Sequence, residues 1–503
     1  MEENVTRLEN LDSEKVDGGC LPDWEVADLP APPPYRFGRA FRSVLGPGII
    51  MLGASIGSGE WLLGPAITAQ YGGRLLWIAT IAIFLQVLLN TEAIRYTIYT
   101  GEPIFSGYMR CKPSAPFWAF FYSIIDFFGI WPGWAMTAAT AIAAAWLGYM
   151  PQDADQNTVR TFAYLIFFSC LGIVLFGGKI YNALEKVQLF MVVWIIGYLV
   201  IIDLFMVSPR VWWTVIKGFF SFGSLPQPEE GAEIDWLLLG AFAAYAGSGG
   251  LGNVSITNYV RDKGWGMSSL VGAIPSIIGG QQVTLSHLGK VFRITPENVQ
   301  RFREWWKYNR FEQYYIWVIG CFIGMALPAM LTIAFVPTGQ AVDQWSAAAF
   351  QADGLAAKGG RIFWYLTLLC GFWVLFSTQL GGVDGVPRRY TDIIWTGFSR
   401  ARKLEEHNAK WIYYAILILY ILWGVVAMYL AKPFFMILVS ATVGGYLLVI
   451  TSLHTLYVNR KFLPKEIQPP LWRQIGLILC AVFYGIFGTL TVIQKVIVPY
   501  ILQ

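Results

Sequence analysis

The sequence has few charged residues and very little histidine. Asp, Glu, Lys and Arg make up only 14% of its 503 residues, and only three residues are His. Because soluble domains carry about 25% charged residues, this composition excludes an ordinary soluble globular protein. The formal net charge is only +4, and no stretch resembles a nucleic-acid-binding patch, so we expect no nucleic-acid partner.

Cysteine is also scarce, and its spacing indicates neither a disulfide framework nor a zinc site. The six cysteines lie far apart without a Cys-X-X-Cys pair, and the histidines do not cluster with them. The sequence also lacks a Walker-type nucleotide-binding loop and a nucleophile elbow, which disfavours ATP-driven pumping and hydrolysis. We therefore expect neither enzymatic activity nor a cofactor, and any transport must use an ion gradient.

Apolar residues, in contrast, are abundant and concentrated in long segments. They make up 56% of the chain and form eleven segments close to the roughly 20 residues that span a bilayer. These segments are residues 44–69, 75–99, 117–147, 162–176, 187–207, 236–259, 314–336, 363–383, 411–430, 434–457 and 475–496. The sequence therefore predicts an all-α polytopic protein of the plasma or inner membrane, with the lipid bilayer as its surroundings.

Charged residues between these segments indicate the orientation in the membrane. Basic clusters fall in alternate connections, such as Arg36, Arg39 and Arg42 before the first segment and Arg460 and Lys461 before the last. Since short cytoplasmic loops collect Lys and Arg, we expect these connections to lie inside. The other connections carry the acidic residues Asp153, Asp155, Glu229, Glu230, Glu233 and Asp343. This pattern predicts a cytoplasmic N-terminus and an external C-terminus.

The first 43 residues differ from the rest of the chain because they are polar, acidic and rich in proline. We expect a disordered cytoplasmic segment there, and no cleavable signal peptide. Pro32-Pro33-Pro34-Tyr35 matches the PPxY pattern that WW domains bind, although a stiff lead-in explains the same residues. After this segment we predict a first half of five helices, an outer loop, a second half of five helices, and a linker with helix eleven, at residues 44–207, 208–233, 234–457 and 458–503.

Two glycine-rich motifs interrupt apolar segments that would otherwise be continuous helices. Gly57-Ser58-Gly59-Glu60 lies in the first segment, and Gly247-Ser248-Gly249-Gly250 lies in the sixth. Interrupted helices at corresponding positions of two halves indicate the substrate site of an inverted-repeat transporter. The predicted substrate-binding residues are Gly57, Ser58, Gly59, Glu60, Ala246, Gly247, Ser248, Gly249 and Asn253. The alternative is that the small residues only allow close helix packing.

Glu60 is the strongest single candidate for a functional residue. Roughly 15 residues separate it from the basic N-terminal flank, which at about 1.5 Å per residue places it well inside the membrane. A carboxylate at that depth is expected to bind a cation, such as a metal ion, or to carry a proton. The alternative is that the helix begins later and that Glu60 reaches a membrane surface.

Three further sets of charged residues lie within apolar segments. Glu92 and Arg95 are spaced to pair on one helix face, either as a structural ion pair or as part of a coupling pathway. Asp126 has no cation at helical spacing, so it is either a proton acceptor or a residue that faces a water-filled vestibule. Asp384 and Arg388 are spaced i, i+4 and are predicted to form a gate or a structural pair.

The chain resembles the Nramp divalent metal transporters, a branch of the LeuT-fold transporters. The similar stretches are Leu45-Gly46-Pro47-Gly48, Ala54-Ser55-Ile56, Tyr71-Gly72-Gly73-Arg74-Leu75-Leu76-Trp77, Ala93-Ile94-Arg95 and Thr100-Gly101. The resemblance implies a 5+5 inverted repeat with broken first and sixth helices. It also implies alternating access and proton-linked cation uptake.

The sequence departs from this family at both helix breaks. Gly57-Ser58-Gly59-Glu60 stands where the family has Asp-Pro-Gly-Asn, and Ala246-Gly247-Ser248-Gly249 stands in place of its Met-Pro-His. Neither break offers a sulfur or imidazole ligand, and oxygen ligands suit magnesium, calcium or manganese. Our leading hypothesis is therefore a secondary transporter of a hard divalent cation, coupled to protons or another ion.

Two alternatives remain open at this point. The same fold would carry a small organic solute such as an amine or amino acid, with Glu60 binding the amine or a coupling ion. Trp61, Trp131, Trp134 and Tyr245 would shape a pocket for that solute, unless they only pack within the bilayer. The second alternative is a membrane receptor or scaffold without transport.

Overall fold

The computed structural model describes residues 15–175, 180–225, 234–272, 286, 288–342, 344–345, 349–404 and 409–501. The side chain of Ser58 lies outside this description, although its backbone does not. Several residues used above to predict topology also lie outside it, namely Glu229, Glu230, Glu233 and Asp343.

Helices account for most of the described chain. The first half contains α1 Arg39–Val44, α2 Pro47–Ser55, α3 Gly64–Tyr71, α4 Leu76–Thr100, α5 Ile104–Met109, α6 Ala115–Gly129, α7 Gly133–Leu147, α8 Gln156–Leu175, α9 Ile180–Met206 and α10 Pro209–Phe219. The second half contains α11 Trp236–Tyr245, α12 Leu251–Val254, α13 Ile256–Lys263, α14 Pro296–Arg310, α15 Ile319–Phe335, α16 Phe350–Gly359, α17 Arg361–Gly397, α18 Ser399–Arg402, α19 Ala409–Leu430, α20 Pro433–Phe462, α21 Leu471–Val492 and α22 Val498–Ile501.

Shorter elements complete the described structure. Wider π-helical turns occupy Ile56–Leu63, Phe311–Val318 and Ile493–Ile497. Tighter 3-10 turns occupy Gly72–Leu75, Asp153–Asp155, Gly266–Leu270 and Lys465–Ile467. The strands are β1 Lys15–Val16, β2 Trp24–Ala27 and β3 Lys290–Phe292, in the order β1-β2-β3. Strands β1 and β2 pair antiparallel, whereas β2 and β3 pair parallel.

The described helices include nine stretches that are long and apolar enough to cross a membrane. One of them, Pro47–Thr100, contains two of the predicted spans, which are joined at the 3-10 turn Gly72–Leu75. The sixth predicted span is divided into α11, α12 and α13 and adds one further crossing. These helices confirm the predicted all-α, multi-pass integral membrane protein.

Contacts between connections group them into two faces, as an alternating series of crossings requires. On one face, Lys432 Nζ lies 2.7 Å from Asp153 Oδ1. On the other face, Lys263 Nζ lies 3.0 Å from Glu185 Oε2. Each pair joins connections that the charge pattern assigns to the same side of the membrane. The inside-to-outside orientation itself stays a prediction.

The structure differs from the sequence prediction at the N-terminus, where residues 15–34 are ordered against the helical bundle. Trp24 on β2 is buried, donates from Nε1 to Glu102 Oε1 at 3.0 Å, and lies under the Arg110 guanidinium. The proline-rich segment also packs, since Trp305 Nε1 donates to the carbonyl of Pro30. The prediction missed this order because the partner groups come from distant parts of the chain, which local composition does not reveal.

Glu102 lies outside the membrane-spanning segments and anchors this N-terminal segment. Arg110 Nε and Tyr96 Oη donate to its Oε2 at 3.0 and 2.6 Å. Burial raises the pKa of the Glu102 carboxyl, but the Arg110 guanidinium and the donated hydrogen bonds lower it by more. The pKa of Glu102 therefore lies below its usual value.

Two of the helices that differ in extent from their predicted segments differ at a proline. The third segment, predicted as one helix, is divided into α6 and α7, and Pro132 stands immediately before α7. Residues that precede proline are disfavoured in helical conformation, which accounts for the division. In contrast, α17 continues to Gly397, well beyond the predicted residue 383, with Pro387 inside the helix.

Candidate functional site

The predicted interruption of the sixth span is present between α11 and α12. Residues 246–250 leave the helical conformation there. Gly249 and Gly250 have φ values of 70° and 58°, a left-handed region that residues with a side chain adopt at a cost. The break therefore depends on glycine, and it frees backbone groups that need partners inside a membrane protein.

Gln86 on α4 provides those partners. Its Nε2 donates to the carbonyl oxygens of Ala244 and Ala246 at 3.2 and 3.1 Å. Its Oε1 accepts from the Ser248 N–H and from Asn253 Nδ2, both at 3.0 Å. The sequence prediction missed Gln86, although a glutamine inside an apolar segment was a visible signal. Asn253 thus supports the break through this amide contact.

The first helix is widened at its glycine motif and does not unwind. The motif lies within the π-helical turn Ile56–Leu63. A Cβ on Gly57 would overlap the Thr378 hydroxyl, and a Cβ on Gly59 would overlap the carbonyl of Tyr245. These two glycines therefore allow the first helix to approach α17 and α11 closely, which agrees with the packing alternative.

The first helix contacts the break of the sixth span through hydroxyl groups. Ser55 Oγ lies 2.5 Å from Ser248 Oγ. Trp317 Nε1 donates to the same Ser55 oxygen at 3.3 Å. This contact brings the first helix to the break of the sixth span. It uses Ser55, which precedes the glycine motif.

Glu60 is completely buried and has an unusual environment for a carboxylate. Neither of its oxygens has a hydrogen-bond partner among the described residues. The Cys321 thiol and the Gly247 N–H are neighbouring polar groups, and Glu60 Cγ packs beside Gly324 of α15. Glu60 therefore lies where the first helix meets α15 and the break of the sixth span.

A cavity of about 120 Å³ lies beside the break of the sixth span. Since about 10–15 Å³ of such space holds one water, the cavity has room for several waters or a small solute. Its aromatic walls are Trp131, Trp134, Tyr245, Tyr259 and Tyr420. Its small residues on α17 are Gly381, Gly382 and Gly385. Three of the four aromatic residues predicted to shape a pocket, Trp131, Trp134 and Tyr245, thus line it.

The predicted substrate-binding residues are divided between the cavity and the protein interior. Ser248 and Gly249 line the cavity. The others pack between helices outside its lining, namely Gly57, Gly59, Glu60, Ala246, Gly247 and Asn253. The binding role predicted for the residues outside the lining stays a prediction. Glu60 and the cavity are two separate features of the described structure.

Asp126 and Arg389 are the ionisable pair that borders the cavity. Arg389 Nε and Nη2 both lie 2.8 Å from Asp126 Oδ2. The sequence showed no cation at helical spacing from Asp126, because its partner lies on α17, 263 residues away. Trp134 Nε1, buried at the same cavity, has no hydrogen-bond partner among the residues described.

The Glu92–Arg95 contact expected from their spacing is present, but it lies away from the cavity. Arg95 Nε lies 2.6 Å from Glu92 Oε2. Arg473 of α21 adds a second cation, with Nη1 2.9 Å from Glu92 Oε1. Trp306 packs against the Arg95 guanidinium at 4.0 Å. The geometry is that of a buried cluster joining three helices, and a coupling role stays a prediction.

Asp384 and Arg388 also form the contact expected from their spacing. Arg388 Nη2 lies 2.9 Å from Asp384 Oδ1, and Tyr413 Oη donates to that oxygen at 2.9 Å. Arg388 further contacts Asp262 of α13. A parallel pair, Arg261 and Asp392, joins the same two helices at 2.5 Å. Arg261 and Asp262 of α13 thus pair with Asp392 and Arg388 of α17, and a gating role stays a prediction.

A tightly liganded metal centre is not evident in the part of the chain that the structure describes. No three His, Cys, Asp or Glu side chains lie together there in a way that would hold a metal ion. The one carboxylate that lines the cavity, Asp126, already contacts Arg389. The cavity therefore offers aromatic faces, hydroxyls and one compensated ion pair.

Comparison with known proteins identifies the fold. No protein-family model matches the chain, and no curated protein matches it by sequence. The manganese transporter of Eremococcus coleocola, in complex with an aromatic bis-isothiourea substituted compound, is similar over 93% of this chain and 89% of that chain, with a TM-score of 0.62 and 13% identity. A mutant of that transporter matches over 93% and 90% of the two chains, with a TM-score of 0.58 and 13% identity. At this identity the likeness shows the fold alone, and the chain is an all-α membrane protein that shares the fold of these two structures.

Proposed function

We propose that the chain is a secondary transporter that carries a small organic solute by alternating access, driven by an ion gradient. The observation that carries this proposal is the cavity beside the break of the sixth span. Its lining is aromatic and glycine-rich, and its only ionisable carboxylate is paired with an arginine in the described structure. Pockets for small organic molecules typically combine apolar walls with a few polar groups.

The same observation argues against a divalent cation as the cargo of this cavity. Hard divalent cations take about six or more oxygen ligands, which include at least one or two carboxylates besides carbonyls and waters. A cation that entered here would find Asp126 already neutralised and the Arg389 guanidinium beside it. Glu60, the carboxylate expected to bind metal, lies outside the cavity lining. The organic-solute alternative therefore replaces the metal hypothesis as the better-supported function.

A coupling cation at Glu60 is the second part of the proposal. Its carboxylate is fully buried and has no hydrogen-bond partner among the described residues. An unpaired charge in such a place costs several kcal/mol, so the group needs a proton or another cation. Glu60 also adjoins the backbone of Gly247 in the sixth break. Binding at Glu60 would thereby affect the same backbone that borders the solute cavity.

The test is ligand-induced stabilisation of the purified full-length protein. Magnesium, calcium, manganese and zinc are compared with a panel of amines and amino acids, since a ligand of the folded state raises its stability by about 2.7 kcal/mol at 100 times its Kd. We expect an organic compound to stabilise the wild type and Glu60→Gln, and to lose this effect in Asp126→Asn. Uptake of that compound into proteoliposomes, driven by a proton or sodium gradient, then tests transport.

Different outcomes refute different parts of the proposal. Stabilisation by a divalent metal that disappears in Glu60→Gln would favour the metal hypothesis over the organic solute. Binding of an organic compound without gradient-driven uptake would instead favour a receptor. Solute uptake that is equally gradient-dependent in wild type and Glu60→Gln would refute the coupling role of Glu60 and leave the solute site standing.

A further inference from the structure

We infer that the transported solute is a small zwitterion whose cationic group binds Asp126 and whose anionic group binds Arg389. This inference rests on the proposed solute transport and assigns its chemical class. The starting observation is an ion pair at a cavity wall. Asp126 projects from α6 and Arg389 from α17, and both side chains border the same space as the break of the sixth span.

The pair is accessible from the cavity, unlike its neighbour in sequence. The side chains of Arg389 and Asp126 retain 12% and 7% of their exposure. Those of Arg388 and Asp384, one position and one turn away, retain only 1% and 0%. Adjacent arginines of α17 thus have different environments. Arg388 belongs to a buried ion-pair network, whereas Arg389 borders the cavity.

The hydrogen bonding of the pair also leaves capacity for a ligand. Both contacts from Arg389 to Asp126, through Nε and Nη2, end on the single oxygen Oδ2. A guanidinium has five N–H donors, so this arrangement uses two of them on one acceptor. A paired carboxylate and guanidinium can otherwise form two parallel bonds to two oxygens. The observed geometry is that of a pair that a ligand can join without first breaking a bidentate contact.

Charge balance selects a zwitterion over a simple cation or anion. Asp126 and Arg389 are the charged residues among the described cavity walls, so the walls carry no net charge. A lone cation would gain Asp126 but would face Arg389, and a lone anion would face the opposite conflict. A zwitterion replaces one ion pair with two and leaves no buried charge unpaired, which is the condition for holding charges away from water.

The rest of the wall suits the two ends of such a molecule. Trp134 Nε1 is a buried donor without a partner among the described residues, and it is available to a carboxylate oxygen. Trp131 and Tyr245 offer ring faces to an ammonium group. Gly382 and Gly385 lie on the α17 face that carries Arg389, at helical spacings of seven and four residues, and leave room beside the guanidinium.

The first experiment uses ligand chemistry on the wild-type protein, so it does not depend on a variant that folds. Calorimetric binding is measured for alanine, leucine and phenylalanine, and for the amide and the deaminated acid of each. The amide retains only the cation, and the acid retains only the anion. We expect at least one amino acid to bind, and each truncated form to bind about 10- to 100-fold more weakly, as expected for loss of one charged hydrogen bond.

The second experiment neutralises one charge of the pair at a time. Asp126→Asn is expected to weaken zwitterion binding about 10- to 100-fold but to leave the affinity for the deaminated acid unchanged. Arg389→Gln is expected to weaken zwitterion binding to the same extent but to leave the affinity for the amide unchanged. Tyr446→Phe is the matched control, because its hydroxyl donates to the carbonyl of Gly488 at 2.9 Å and the residue does not line the cavity. Its affinity should equal that of the wild type.

The outcomes separate this inference from the function on which it rests. If amines, acids or neutral solutes bind as tightly as the zwitterions, or if both charge variants bind like Tyr446→Phe, the zwitterion assignment is overturned and solute transport stands. If no organic compound of any charge binds or is taken up, the proposed function itself fails. If the wild type prefers zwitterions, and if Asp126→Asn and Arg389→Gln lose this preference, the zwitterion assignment and the proposed function are both supported.

Discussion

Gln86→Leu is expected to destabilise the protein by about 3 kcal/mol, because the amide is the side-chain partner of the sixth-span break. Leucine matches glutamine approximately in size but removes the donors to two carbonyl oxygens and the acceptor for Ser248 N–H. Each buried polar group left without a partner costs about 1–3 kcal/mol. The two carbonyls alone give about 2–6 kcal/mol, and added apolar contact by leucine moves the net cost toward the middle of that range.

The matched control is another buried glutamine that does not serve a break. Gln188 Nε2 donates only to the Ser377 carbonyl at 2.8 Å, and its Oε1 has no hydrogen-bond partner in the described structure. Gln188→Leu therefore exchanges one hydrogen bond for relief of one unpaired oxygen, and we expect a change within about 1 kcal/mol. Both variants replace a buried glutamine with leucine, so the difference between their unfolding free energies measures the contribution of the contacts at the break.

The assay is denaturant unfolding of both variants in the same detergent, together with solute affinity. Because Ser248 lines the cavity, Gln86→Leu should also weaken solute binding, whereas Gln188→Leu should not. Equal stability and equal affinity in the two variants would refute the view that Gln86 maintains the break. A loss of affinity without a loss of stability would place Gln86 at the solute and not at the backbone.

Three further predictions follow from single contacts. Gly59→Ala should destabilise the protein by about 1–3 kcal/mol, because the added Cβ would overlap a carbonyl of α11. Gly172→Ala should stabilise it by up to about 1 kcal/mol, because no atom lies within 4 Å of the added Cβ. Thermal unfolding of the two variants tests this difference. Asp262→Asn breaks a buried ion pair and should lower the free energy of unfolding by about 3–5 kcal/mol. Lys495→Met breaks an exposed ion pair and should lower it by less than about 1 kcal/mol. Equal losses in the two variants would refute the expectation that burial sets the cost. Because the pKa of Glu102 is lowered in the folded protein, its contribution to stability is present above the unfolded value of 4.5 and is lost as pH falls through the folded pKa. Acid should therefore make the N-terminal strands of the wild type susceptible to protease. Glu102→Gln should make them susceptible at neutral pH.

Local properties of the chain made the fold predictable. The length of each apolar segment depends only on neighbouring residues, and the predicted spans correspond to helices throughout the described structure. Gly249 and Gly250 indicated a break because the backbone conformation of glycine is also a local property. Contacts at i, i+3 and i, i+4 were predictable for the same reason, as Glu92 with Arg95 shows.

Partners that lie far apart in the chain were not predictable, because they depend on which helices meet. Asp126 has no cation nearby in sequence, but Arg389 reaches it from α17. Glu60 lies beside Gly324 of α15 and outside the cavity lining, a position that depends on which helices meet and that no local pattern shows.

Local sequence features were thus sufficient to identify a helical membrane protein with a glycine-dependent break in its sixth span. Hydrophobic length and backbone freedom are properties of short stretches, and they need no knowledge of the packed molecule. The packing of the helices was needed to show which charges are paired, which buried carboxylates have no hydrogen-bond partner among the described residues, and which side chains border the cavity. Those properties follow from the burial and mutual approach of helices, and the chemistry of the candidate site depends on them.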